Sequence, residues 1–233
     1  MISNSGRPFL AHCMPHVRDF LGEARRLAFI SAANLGNEVA YYERVREALE
    51  PAPPAGLGVE VLHLRGKREP LAVLTRADAL FVGGGNTYAL LKRLREAKLL
   101  DPIRERVRSG MPYLAASAGS NVAGINILTT NDWNVVGLSE FDALGLVPFN
   151  VNPHFLEVDP AMAPGSETRE ERIREFHTVW PHPVLGIEEG TLVRVEDGAA
   201  TVLGAEGVKV FVRGAAPRWL RAGDRLDLRA LRG

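Results

Sequence analysis

The feature that most narrows what this chain can fold into is an alternation. Short continuous apolar runs at residues 27–33, 59–64, 79–82 and 112–116 are separated by segments of helical periodicity at 37–49, 70–75, 87–100 and 102–108. Apolar runs of this length without a polar face are strands buried on both sides. Such strands belong to parallel sheets, because a parallel crossover needs about a dozen residues or more and the connecting helix then covers a sheet face. The first half is therefore an α/β unit, doubly wound around a mostly parallel sheet with helices on both faces.

The second half is richer in strands. Runs at 146–151, 183–188, 191–195 and 208–212 have strand character, and one amphipathic stretch at 169–179 has helical character. The close spacing and the Glu196-Asp197-Gly198 turn predict antiparallel hairpins, giving a strand-rich antiparallel C-terminal edge. The proline-rich 51–56 stretch sits between a helix and a strand of one alternating series, so it is a loop. Residues 1–233 are expected to form a single domain.

With 28 basic and 28 acidic residues, no bulk field draws the chain to nucleic acid or anionic lipid, and a small partner is expected. No window reaches the roughly 18 apolar residues of a membrane span, and the N-terminus shows no signal-peptide pattern, so a cytoplasmic location is expected. A single cysteine, Cys13, excludes an intramolecular disulfide and a cysteine-rich zinc site. His12 and His16 have the spacing of a helical metal pair, but Pro15 interrupts that helix and no Glu follows His12. No metal or cofactor is expected.

The segment richest in chemistry is Pro112-Tyr113-Leu114-Ala115-Ala116-Ser117-Ala118-Gly119-Ser120-Asn121. An apolar strand runs into a serine flanked by very small residues and then into a helix, as a nucleophile elbow requires, since larger neighbours would collide in the strained turn. Ser117 would stand at the carboxyl edge of the sheet, with the Ala118 N–H placed to hold an oxyanion. Ala115 stands where the hydrolase pattern has glycine, and small residues also serve a plain tight connection. Ser120 would lie inside the helix, turned from the sheet edge.

A second strand-to-helix segment, Phe81-Val82-Gly83-Gly84-Gly85-Asn86-Thr87, can turn backbone N–H groups toward an anion. It lacks the third glycine of a dinucleotide fingerprint and the Gly-Lys-Ser/Thr ending of a phosphate loop. Among six histidines, His154 follows a strand in Asn152-Pro153-His154-Phe155, at the edge where catalytic groups of open α/β sheets collect. Two acids could fix its tautomer. Asp132 gives the chain order Ser, Asp, His, and Glu189 gives Ser, His, Glu; triads occur in several orders, so order does not decide.

Together these segments resemble the peptidase E family, the aspartyl dipeptidases among the serine peptidases. The resemblance rests on Gly84-Gly85-Asn86-Thr87, the stretch from Ser117 to Gly124, Thr129-Thr130-Asn131-Asp132, Phe141-Asp142-Ala143-Leu144-Gly145-Leu146, Asn152-Pro153-His154-Phe155 and Glu167-Thr168-Arg169. It implies a fold similar to class I glutamine amidotransferases and hydrolysis of dipeptides with an N-terminal aspartate. By the same resemblance Ser117 is the nucleophile, His154 the base, and Gly85 and Ala118 the oxyanion-hole donors. Asp132 matches an acid proposed for the relay and is favoured, with Glu189 kept beside it. Thr168 and Glu171 have capping-box spacing, which puts Arg169 at the first helical position, and the match of Glu167-Thr168-Arg169 implies that Arg169 binds the substrate aspartate. A cyanophycinase-like hydrolase of β-aspartyl-arginine bonds and a non-catalytic binding domain are the alternatives on this fold.

Overall fold

The computed structural model describes residues 1–64, 70–157 and 165–231. Strands β1 (Arg26–Ile30), β2 (Glu60–His63), β3 (Ala79–Val82) and β4 (Tyr113–Ala115) form a parallel sheet in the order β2-β1-β3-β4. The helices of this half are α1 (Met14–Leu21), α2 (Glu38–Leu49), α3 (Pro70–Arg76), α4 (Thr87–Glu96), α5 (Leu100–Arg108) and α6 (Ala118–Ala123).

Period-two alternation sorts the sheet onto two apolar clusters. Ala28, Ile30, Leu80 and Val82 meet Leu74 of α3, Leu90, Leu91 and Leu94 of α4 and Ile103 of α5. Leu27, Phe29, Ala79 and Phe81 meet Val17 and Leu21 of α1 and Tyr41, Val45 and Leu49 of α2. Both faces are covered, which is why β3, β4 and β1 beyond Arg26 read as apolar runs, while β2 at the sheet edge carries an exposed Glu60 and a half-buried His63. Each fully buried side chain of this size adds about 1.5–3 kcal/mol relative to exposure.

The second half contains β5 (Asn150–Pro153), α7 (Arg169–Val179), β6 (Val184–Ile187), β7 (Thr191–Glu196), β8 (Ala199–Gly204), β9 (Gly207–Phe211), β10 (Arg218–Arg221) and β11 (Arg225–Asp227). It makes two sheets, β10-β9-β6-β5, with β5 and β6 parallel, and the antiparallel β11-β8-β7. The β7–β8 hairpin turns on Asp197 and Gly198, both at positive φ, as a two-residue loop needs. Ile2 bridges the parallel sheet to this half, pairing parallel with Ala116 and antiparallel with Leu192.

Besides shifts of one to three residues at several ends, four features differ from the sequence expectation. The strand expected at 146–151 begins only at Asn150, because Pro148 has no N–H for a ladder. The helix expected over 87–100 stops at Glu96, where the chain turns through Lys98 at φ 55° before α5 begins. Pro15 does not break a helix: it lies in the first turn of α1, where a missing N–H costs nothing. The antiparallel strands form a separate three-stranded sheet and part of a mixed one, with β8, β10 and β11 unforeseen. Among the described residues no helix is long and apolar enough to cross a membrane.

Candidate active site

Ser117 is the hinge between β4 and α6, at φ 51° and ψ −111°, a backbone conformation that L residues rarely adopt. Small neighbours make the turn possible. A Cβ on Gly119 would lie 2.2 Å from the Val82 carbonyl oxygen, so α6 seats on β3 only because that residue is glycine. From this turn the Ser117 hydroxyl points at His154, with Oγ 2.7 Å from Nε2. The other ring nitrogen, Nδ1, meets Oε1 of Glu189, just beyond β6. A carboxylate on Nδ1 holds the proton there, which leaves Nε2 as the acceptor facing the hydroxyl.

Each member is fixed by the N-terminal segment. Ser117 N–H donates to the Ile2 carbonyl at 3.1 Å, and Ser120 Oγ donates to the same oxygen at 2.9 Å. Ser3, fully buried, donates its hydroxyl to Ile187 and accepts the His154 N–H at 2.8 Å. Asn4 Oδ1 accepts the N–H of Gly190, next to Glu189. Thus the Ile2 carbonyl and the side chains of Ser3 and Asn4 join the ends of β4, β5 and β6. Nothing local in the sequence marks Ser3 as part of the site, since its partners lie more than 150 residues away.

The Gly83-Gly84-Gly85 loop completes the arrangement. Gly85 has φ 136°, and a Cβ there would lie 2.3 Å from the Ala33 oxygen, so the close approach of these two loops requires glycine. Gly84 N–H donates to the Tyr41 hydroxyl at 3.0 Å, and burial pushes that phenol's pKa up. Among the described residues the N–H groups of Gly85 and Ala118 have no acceptor. An unsatisfied pair beside an ordered serine is what a developing oxyanion needs.

Asp132 is placed elsewhere than the favoured expectation had it. Its Oδ2 accepts from Thr87 N–H at 2.7 Å and from Thr130 Oγ1 at 3.1 Å, so it caps the first turn of α4, where the helix dipole favours a negative charge. It is Glu189 that the structure brings to the ring. Ser120, buried, is tied to Ile2 and Ala115 and does not face His154. Arg169 is the first residue of α7, beside a complete capping box of Thr168 and Glu171, and its Nη1 donates to the Pro153 carbonyl at 3.3 Å. It is half-buried, next to the strand that carries His154. His63 is placed away from the site, where it bonds Ser31 Oγ and stacks on Tyr42. Among the described residues no group of three or more His, Cys, Asp or Glu side chains is placed to hold a metal ion.

Comparison with known proteins identifies the family. Peptidase E of Streptomyces coelicolor is 44% identical over 230 residues, covering 97% of this chain and 92% of the relative. A probable alpha-aspartyl dipeptidase of Drosophila melanogaster is 44% identical over 209 residues, covering 88% and 85%. The crystal structure of a peptidase from an acI-B1 Actinobacterium shares the fold, with a TM-score of 0.72 at 18% identity over 97% of this chain and 94% of that one. The family model of Peptidase family S51 matches residues 1–203, and with these relatives it shows that the chain belongs to peptidase family S51.

Proposed function

We propose that the chain is a serine dipeptidase that hydrolyses Asp-X dipeptides through an acyl-enzyme on Ser117. One observation carries the chemistry: a hydroxyl, an imidazole and a carboxylate in continuous hydrogen-bond contact beside two backbone N–H groups that have no acceptor among the described residues. The names of the relatives, peptidase E and alpha-aspartyl dipeptidase, support the substrate class.

In the first half-reaction Ser117 Oγ attacks the aspartyl carbonyl carbon while His154 Nε2 takes the hydroxyl proton. The Gly85 and Ala118 N–H groups hold the oxyanion, and Glu189 stabilises the imidazolium. His154 then gives its proton to the amine of the leaving residue as the C–N bond breaks. Water, deprotonated by the same nitrogen, cleaves the aspartyl ester and regenerates Ser117. Arg169 supplies a guanidinium for the aspartate side chain, a partner matched to a carboxylate by its planar fork. The buried free thiol of Cys13 suits a reducing compartment, and we place the reaction in the cytoplasm.

Ser117→Ala should abolish hydrolysis of Asp-Leu with the fold intact, leaving a residual acceleration on the order of 10³ over water. Wild-type turnover in that variant would move the nucleophile elsewhere. A fluorophosphonate should label the native chain at Ser117 alone, and absence of labelling would favour a binding domain. β-Aspartyl-arginine fragments should be poor substrates; preference for them over Asp-Leu would favour the cyanophycinase-like alternative. Arg169→Ala should lower kcat/KM for Asp-X by about 2–5 kcal/mol and affect a neutral N-terminal residue far less. Equal losses on both would withdraw the assignment.

A further inference from the structure

The cleft that reaches Ser117 and His154 holds more positive charge than the chemistry above uses. It encloses about 600 Å³, with Arg7 and Phe9 of the N-terminal segment and Tyr41 and Arg44 of α2 among its lining residues, and no Asp or Glu lines it. Arg7 and Arg44 are exposed, and among the described residues neither has an ion-pair partner. Some arginines elsewhere are engaged, as Arg93 is with Glu38 and Arg95 with Glu140, although exposed arginines such as Arg76 and Arg225 also have no ion-pair partner among the described residues. Two guanidinium groups without a carboxylate partner in one concave site create a local positive potential that favours an anionic ligand.

Apolar surface comes with that charge. Phe9 packs edge-on against Tyr41 at 6.1 Å between ring centroids and also contacts Phe81, so the ring is held in place. Asn34 spends its side-chain oxygen on the N–H groups of Gly36 and Asn37, which leaves only N–H donors to offer the cleft. Arg169 is not one of the lining residues; it is fastened to Pro153. An Asp-X dipeptide has two carboxylates, and the molecule has two separate cationic positions.

We propose that Arg7 and Arg44 form the subsite for the C-terminal carboxylate of the dipeptide, with the side chain of its second residue against Phe9 and Tyr41. This rests on the Asp-X dipeptidase reading. It gives a physical origin to chain-length selection, because a longer peptide presents a neutral amide where the two guanidinium groups call for a charge.

The test compares Asp-Leu with Asp-Leu-amide, which lacks only that charge, in the wild type, Arg44→Gln and the Arg7→Gln/Arg44→Gln double variant. The wild type should favour the free acid, each substitution should remove about tenfold of that preference, and the double variant should treat the two substrates nearly alike. The loss should fall on KM, and added salt should shrink the wild-type preference. Unchanged melting temperatures are expected, since neither side chain is bonded to any of the described residues. A double variant that keeps the wild-type preference overturns the subsite, as does an equal loss on acid and amide, which would assign the arginines to the aspartate side chain or to the fold. A wild type that cleaves neither compound overturns the Asp-X reading itself.

Discussion

Two carboxylates compete on sequence grounds for the Nδ1 proton of His154, and substitution separates them. Glu189→Gln should lower kcat by roughly 10²–10⁴ without loss of stability, because the amide offers either the wrong tautomer or no charge to the imidazolium. Asp132→Asn keeps an oxygen for the Thr87 N–H and should cost less than about tenfold, whereas Asp132→Ala should cost about 1–2 kcal/mol of stability by stranding that donor. Steady-state kinetics with urea unfolding read both, and equal kinetic losses in the two amide variants would return Asp132 to the ring. Cys13 gives a pH-dependent check on the core. Burial pushes its thiol up to about 12 from an ordinary value near 9.0. The unfolded chain then loses the proton first, so this contribution to stability is intact below pH 9 and falls as pH rises toward 12. Between pH 8 and pH 10.5 the wild type should lose about 2 kcal/mol more than Cys13→Ala in urea unfolding. Identical pH profiles would mean that the thiol is accessible in the native state.

At the scale of elements, the site depends on how two helices begin. The α6 helix starts directly from Ser117 and packs on β3 through Gly119, so Gly119→Ala should push the two apart and remove both activity and native thermal stability. The α7 helix starts at the Thr168–Glu171 capping box, in which the Thr168 N–H meets Glu171 Oε2 at 2.7 Å and Thr168 Oγ1 accepts the Glu171 N–H at 3.2 Å. Thr168→Ala should cost about 1 kcal/mol and fray the turn that presents Arg169. The expected signature is a higher KM for Asp-X with kcat nearly kept; a fall in kcat alone would disconnect the cap from substrate binding.

At the scale of the whole molecule, Lys209 on β9 ties the mixed sheet to α7. Its side chain is 8% exposed, over the Trp219 ring, and its ammonium pairs with Glu157 and Glu170. Burial opposes the charge, but the hydrogen bonds and attraction of the two carboxylates outweigh it and move the lysine pKa up. Lys209→Met should cost about 1–2 kcal/mol in urea unfolding, because Glu170, next to Arg169, would keep only Arg174 as its cationic partner and Lys209 would no longer bridge it to Glu157. A neutral result would show that the apolar stem alone holds this junction. These long-range ties mark where the sequence stops being informative. Strand and helix periodicity, the small residues around Ser117, the glycine loop and the Thr168 cap are local patterns, and local sterics and hydrogen bonding dictate them wherever the chain goes. The double covering of the parallel sheet followed from the same patterns, since only strands buried on both faces are apolar at every position. The choice of Glu189 over Asp132, the splint of Ile2, Ser3 and Asn4 across three strand ends, the separate β11-β8-β7 sheet and the meeting of Arg7 with Arg44 were decided by tertiary structure. Each depends on which distant segments pack together, a free-energy balance over the whole core that leaves no periodic trace in any one segment.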